Sequence, residues 1–162
     1  MIKFLTLPLL MIFSFLTFGN LTELNTLNVS EYEKNLNTAS ELYLKENKIP
    51  DSILIKLVPE NYTEFELYCG TTGPDHNLGK TDFFYETTRL IFEQVTSEKN
   101  SDFYLPSLKL ISFADGEYAE DFVTYLEIII KMDKAKFCKS INGKEYIKRN
   151  PIKFYSELNK CE

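Results

Sequence analysis

Residues Gly73 to Thr81 read GPDHNLGKT, a run whose residue types can hold a phosphate. Glycine-rich backbone can turn its N–H groups toward an anion, a lysine can meet the outer phosphates, and a threonine hydroxyl can hold magnesium. Just before it stands Cys69, and within the run come Asp75 and His76. A thiol, an imidazole and a carboxylate are the parts of a nucleophile–base pair. Asp115, Glu117, Glu120 and Asp121 gather further on, and clustered carboxylates can take calcium.

Each has a plainer account. The run Gly73–Thr81 resembles the P-loop of nucleotide-binding proteins over nine residues, but five residues, Pro74 to Leu78, separate glycines that the pattern places four apart. A strand must precede such a loop, and Phe65 to Tyr68 is the only stretch placed to supply it. Leu110 to Asp115 imitates an apolar strand ending in an acidic metal ligand. A parallel sheet needs several buried strands joined by crossovers, and the helical patterns described below leave little room for them. Cys69 falls on an apolar stripe with Phe65, which places it in the core or in a disulfide, and His76 is most simply a loop residue. The four carboxylates sit where a helix starts, answer its dipole, and lack the spaced oxygen ligands of a calcium loop. One histidine and three cysteines with no CxxC spacing leave zinc without a ligand set. No cofactor is expected.

Charge narrows the partners. The chain of 162 residues carries 18 basic and 24 acidic side chains, a net charge of −6. Residues 20–130 hold 8 basic against 20 acidic residues, whereas 131–162 hold 9 against 4. The lysines from Lys131 to Lys153 are expected on the solvated sides of short helices. With only Arg89 and Arg149 as arginines and no Trp, nucleic-acid recognition is not expected. The acidic body either is simply solvated or offers a face to a basic partner.

The N-terminus predicts export. Lys3 precedes an uncharged apolar run of 15 residues, Phe4 to Phe18, and Thr17-Phe18-Gly19 offers small residues at a cleavage site. A spanning helix needs about 20 apolar residues, so residues 1–19 read as a secretory signal peptide. The chain from Asn20 is then expected to be secreted or periplasmic, with no stable membrane insertion. In an oxidising compartment three cysteines allow one bridge. Cys138 with Cys161 is the expected pair, because Asn142-Gly143 and Asn150-Pro151 let the chain double back, leaving Cys69 reduced and buried; pairing of Cys69 with either partner is the alternative. Asn28-Val29-Ser30 and Asn61-Tyr62-Thr63 are glycosylation sequons in a cell that glycosylates.

The elements that must position all this are helical. Ser30 and Glu33 form a capping box, followed by Tyr32, Leu36, Ala39 and Tyr43 on one stripe as far as Asn47. Asp51–Val58 reads as helix or strand. Tyr62, Phe65 and Cys69 share a helix face over 60–69, with Gly70 as its C-cap. Thr81 or Asp82 caps a helix with Phe84, Thr88, Ile91 and Val95 inward. Ser101 or Asp102 caps the next, with Tyr104, Leu108 and Ile111. Tyr118, Phe122, Tyr125 and Ile129 line another, Asp133 caps a short helix to Ile141, and Asn150-Pro151 opens the last, with Phe154, Tyr155 and Leu158. The expectation is a single all-α domain over 20–162, of about five to seven helices, with 81–97 on 101–113 and 117–131 on 133–141 as stacked helix hairpins. Of the thirteen Phe and ten Tyr of the chain, the nine Phe and all ten Tyr that fall in this domain must fill most of its core.

Without a general base other than carboxylates, a metal set, or a nucleophile with a partner, the chain reads as a binding protein rather than an enzyme. It would capture another protein outside the cytoplasm, such as a toxin or an enzyme that it neutralises. The alternative is an enzyme working through Gly73–Thr81, with Lys80 on a phosphate and Asp75 and His76 beside it.

Overall fold

The computed structural model describes residues 19–46, 48–114 and 116–161. The expected signal peptide, up to residue 18, lies outside the described residues, as does Asp115. Among the described residues eight α-helices follow in order: α1 (Gly19–Glu46), α2 (Asp51–Leu54), α3 (Tyr62–Cys69), α4 (Phe83–Thr96), α5 (Tyr104–Ile111), α6 (Ala119–Met132), α7 (Lys134–Ile141) and α8 (Ile152–Leu158). Short 3-10 turns join several of them. There is no strand among the described residues, so the protein is all-α, with one helix more than the upper expectation because Asp51–Val58 folds as α2 and a 3-10 turn.

Local chemistry sets the starts. Asn61 accepts from the Glu64 N–H at 3.0 Å, while Glu64, only 3% exposed, accepts from Asn61 Nδ2 and from the Glu60 N–H at 2.6 Å. That reciprocal cap satisfies a carboxylate that burial would otherwise penalise. Thr81 Oγ1 accepts from Phe83 N–H at the start of α4, and Asp133 accepts from Lys136 N–H at the start of α7. Asn100 accepts from Asp102 N–H and caps the 3-10 turn Ser101–Phe103, and α5 follows directly from Phe103 without a side-chain cap, so neither Ser101 nor Asp102 supplies one. Ser30 lies inside α1, not at its start. Gly70 keeps a right-handed φ of −59° and leads into a 3-10 turn, so no left-handed cap is needed there.

The core is aromatic. Tyr68, Phe83, Phe84, Phe92, Phe103, Phe113, Phe122 and Phe137 are among the largest fully buried side chains. Phe65 stacks on Phe113 at 5.4 Å and Phe92 meets Phe122 edge-on at 5.4 Å, each such pair adding about 0.5–1.5 kcal/mol to the area it buries. Tyr68 hydroxyl lies 2.5 Å from Thr87 Oγ1 and 3.1 Å from Thr88 Oγ1. Helix α4 packs on α5 and α6, and α6 packs on α7, as the two hairpins require.

The last helix departs from its expected face. Ile152 and Ser156 are buried, while Phe154 and Leu158 are 55% and 62% exposed. Tyr155 donates to Glu127 Oε1 of α6 at 2.5 Å, and Cys161 is brought to disulfide distance of Cys138, with Cα atoms 4.9 Å apart. Both ties turn the stripe 152, 155 and 156 inward, and residues 154 and 158 take the opposite side.

Candidate functional site

The loop that the sequence singled out is closed on itself. Gly73 N–H donates to Gly70 O, His76 N–H to Gly73 O, Gly79 N–H to His76 O and Thr81 N–H to Leu78 O, all at 2.8–3.0 Å. Leu78 N–H donates to His76 Nδ1, and the Leu78 side chain is buried as an anchor. Five backbone donors that a phosphate would need are thus engaged inside the loop. Thr81 Oγ1 donates to Leu78 O and accepts from Phe83 N–H, and the loop follows a helix and a 3-10 turn, not a strand. Asp75, His76 and Lys80 are exposed on its outside. Cys69, at the end of α3, is partly exposed rather than buried, with Sγ 3.6 Å from Glu66 O. Thiol and imidazole are each engaged by nearby backbone.

A better-built concavity lies between α4 and α6. This cleft of about 400 Å³ is floored by Phe84, Phe92 and Phe122. Tyr85, Tyr118 and Tyr125 form its walls. Phe84 and Tyr118 rings are 4.7 Å apart, Tyr85 and Tyr118 6.1 Å, and Phe92 and Tyr125 4.6 Å. The walls are therefore held by rings of the core, although Tyr85 remains 47% exposed.

Its rim is acidic. Asp82, Glu86 and Asp121 line the cleft together with one cation, Arg89. Arg89 Nη1 donates to both oxygens of Glu93 at 2.7 Å, which keeps its guanidinium pKa raised and its charge balanced. Glu86 accepts from Tyr43 hydroxyl at 2.8 Å. Asp82 and Asp121 are exposed and have no ion-pair partner among the described residues. Burial raises the Tyr125 pKa, and the Glu93 carboxylate raises it further, so this phenol stays protonated. Aromatic faces beside uncompensated carboxylates attract a cation carried on an apolar stem.

Compared with family models, with curated proteins and with solved structures, the chain matches none.

Of the four carboxylates weighed for calcium, Asp115 lies outside the described residues, and no group of three or more His, Cys, Asp or Glu is placed to hold a metal among the described residues. No described helix is long and apolar enough to cross a membrane. The basic C-terminal segment lies partly on the aromatic body: Lys136 Nζ is 4.1 Å from the Tyr104 ring centre, and the Arg149 guanidinium is 4.9 Å from Tyr62. Neither Tyr85 nor Asp82 reads as a binding residue in the sequence, where Asp82 stands only as a candidate helix cap. The available signal was Tyr85 standing off the inward stripe of α4.

Proposed function

We propose that the chain is an exported binding protein that holds a basic segment of a protein partner in the α4–α6 cleft. The observation that carries this reading is the meeting of three partly exposed tyrosines with two unpaired aspartates. Tyrosine is favoured at protein interfaces because a rigid ring gives area at little entropic cost, and the aspartates add electrostatic steering. Export is supported by the approach of Cys138 to Cys161, a pairing that suits an oxidising compartment. Neutralisation of a toxin or an enzyme is the form of this reading that small size and export suit, by analogy rather than from any residue. The enzyme alternative through Gly73–Thr81 finds no support in a loop whose donors are already engaged.

The test is binding of the chain from Asn20 to labelled oligo-lysine and oligo-arginine peptides at low and high salt, with an oligo-glutamate peptide as control. The same bait, immobilised, should retain a basic protein partner at low salt. Tyr85→Ala and Asp121→Asn should each weaken both interactions several-fold. Equal affinity for acidic and basic peptides, or full retention by both variants, would exclude the cleft as the recognition surface.

A further inference from the structure

A second cleft lies on another part of the molecule, between the 3-10 turn Ile55–Leu57, helix α5 and the 3-10 turn Glu145–Lys148, and measures about 550 Å³. That volume is within the range of small-molecule sites. We propose that it binds a small amphipathic organic anion, with a carboxylate-type head on an apolar body.

The apolar half is supplied by Ile55, Val58, Leu105 and Pro106. Leu105 is 41% exposed although its neighbours Tyr104 and Leu108 are buried. It offers the kind of apolar surface that an occupant covers.

The charged half is asymmetric. Lys109 pairs with Glu60, and Glu145 pairs with Lys148 at 3.0 Å. Two cations of the lining, Lys144 and Arg149, have no ion-pair partner among the described residues. In a chain of net charge −6 this is a local excess of the opposite sign. Arg149 is also positioned in advance: its guanidinium lies 4.9 Å from the Tyr62 ring centre and 5.1 Å from Phe113. Contact with two rings limits where a guanidinium can swing, and N–H donors turned away from the rings can meet a carboxylate fork. Tyr146 completes the lining, and its hydroxyl is buried without a hydrogen-bond partner among the described residues, a condition that a polar neighbour or a bridging water relieves. An anion lacking the tail would forgo the apolar floor, and a cation or neutral amphiphile would meet Lys144 and Arg149 without compensation.

This site is independent of the α4–α6 cleft, and its test is separate. The disulfide-bonded chain from Asn20 is titrated with the aromatic sulfonate dye ANS, followed by competition with decanoate, decyltrimethylammonium, decanol or inorganic phosphate. The expected result is displacement by decanoate well before the other three. Lys144→Glu and Leu105→Glu should each weaken decanoate competition about tenfold, a change of about 1.4 kcal/mol, with unchanged thermal midpoints. Arg149→Lys should weaken it despite keeping the charge, because the fork is lost. Phe154→Glu, on the exposed side of α8, should leave it intact. Displacement by decyltrimethylammonium or phosphate as readily as by decanoate overturns the proposal, as does loss of dye binding on Phe154→Glu but not on Lys144→Glu. Asp121→Asn should not alter it, so failure here and failure of the protein-binding reading remain distinct.

Discussion

The carbonyl oxygen of Gly73 lies only 1.9 Å from the point where residue 79 would carry a Cβ. The two glycines close the loop back to back, and the obstacle is backbone rather than a side chain that can swing aside. Gly79→Ala should therefore destabilise the protein by more than about 2 kcal/mol, since the loop must open to admit the methyl. Gly70→Ala, at a right-handed residue with nothing within 4 Å of the added Cβ, should be neutral or stabilising by up to about 1 kcal/mol. Thermal melts decide it, with about 2–4 °C expected per kcal/mol for a chain of this size. Equal effects of the two substitutions would refute the closed loop.

Tyr68 and Tyr104 should respond oppositely to loss of a hydroxyl. Tyr68 is fully buried and meets Thr87 and Thr88, so Tyr68→Phe should cost about 1–2 kcal/mol. Tyr104 hydroxyl is buried with no hydrogen-bond partner among the described residues, while its ring faces Lys136, a contact that phenylalanine keeps. Tyr104→Phe should be neutral or stabilising. Urea unfolding midpoints compared at constant slope would show the difference.

Alkali should unfold the protein over a defined interval. Burial pushes the phenols of Tyr68 and Tyr104 up to about 12, with the Asp133 carboxylate adding to the effect at Tyr104. In the unfolded chain phenols ionise near pH 10. A group whose pKa is raised by folding contributes stability in full below its unfolded value and loses it as pH rises through the folded one. Stability should thus fall between about pH 10 and 12. Phenolate absorbance recorded beside helical ellipticity tests this: all ten tyrosines ionising near their ordinary pH with the helical signal intact would contradict it.

A bridge between Cys138 and Cys161 closes a loop with a sequence separation of 23. Constraint of the unfolded chain by such a loop contributes about 3 kcal/mol. Mapping of unreduced peptides from the protein produced in an oxidising compartment should recover these two cysteines joined, and Cys161→Ser should lower the thermal midpoint. Alkylation of all three cysteines without reductant would refute the pairing.

Helices whose stripe and cap agree were legible in the sequence. The inward residues of α4, Phe122 and Ile129 of α6, and the Asp133 cap of α7 fall where the sequence puts them. The start of α1 did not, because Ser30 and Glu33 carry a start signal that the middle of a long helix also tolerates. The face of α8 is ambiguous in the sequence because four aromatic or apolar residues, Ile152, Phe154, Tyr155 and Leu158, in a seven-residue helix fit either side. What decides it, Tyr155 on Glu127 and Cys161 near Cys138, is tertiary. The α4–α6 cleft was hidden for a similar reason. Tyr118 and Tyr125 look like core on their own helix, and only the approach of α4 turns them into walls facing Tyr85. The GPDHNLGKT run misled in the other direction, since a residue pattern does not reveal where its N–H groups are already engaged.

The proposed export would bring the chain into contact with proteases, and the turn at Asn142-Gly143 is exposed, with Gly143 at a φ of 71°. Small exposed turns of this kind are preferred cleavage points. This one falls between residues 138 and 161, so in the bridged protein a single cut there leaves α8 covalently attached to the body. Nicked and intact chains would then run together on a gel until a reductant parts them, and Tyr155 would stay beside Glu127 after the backbone is severed.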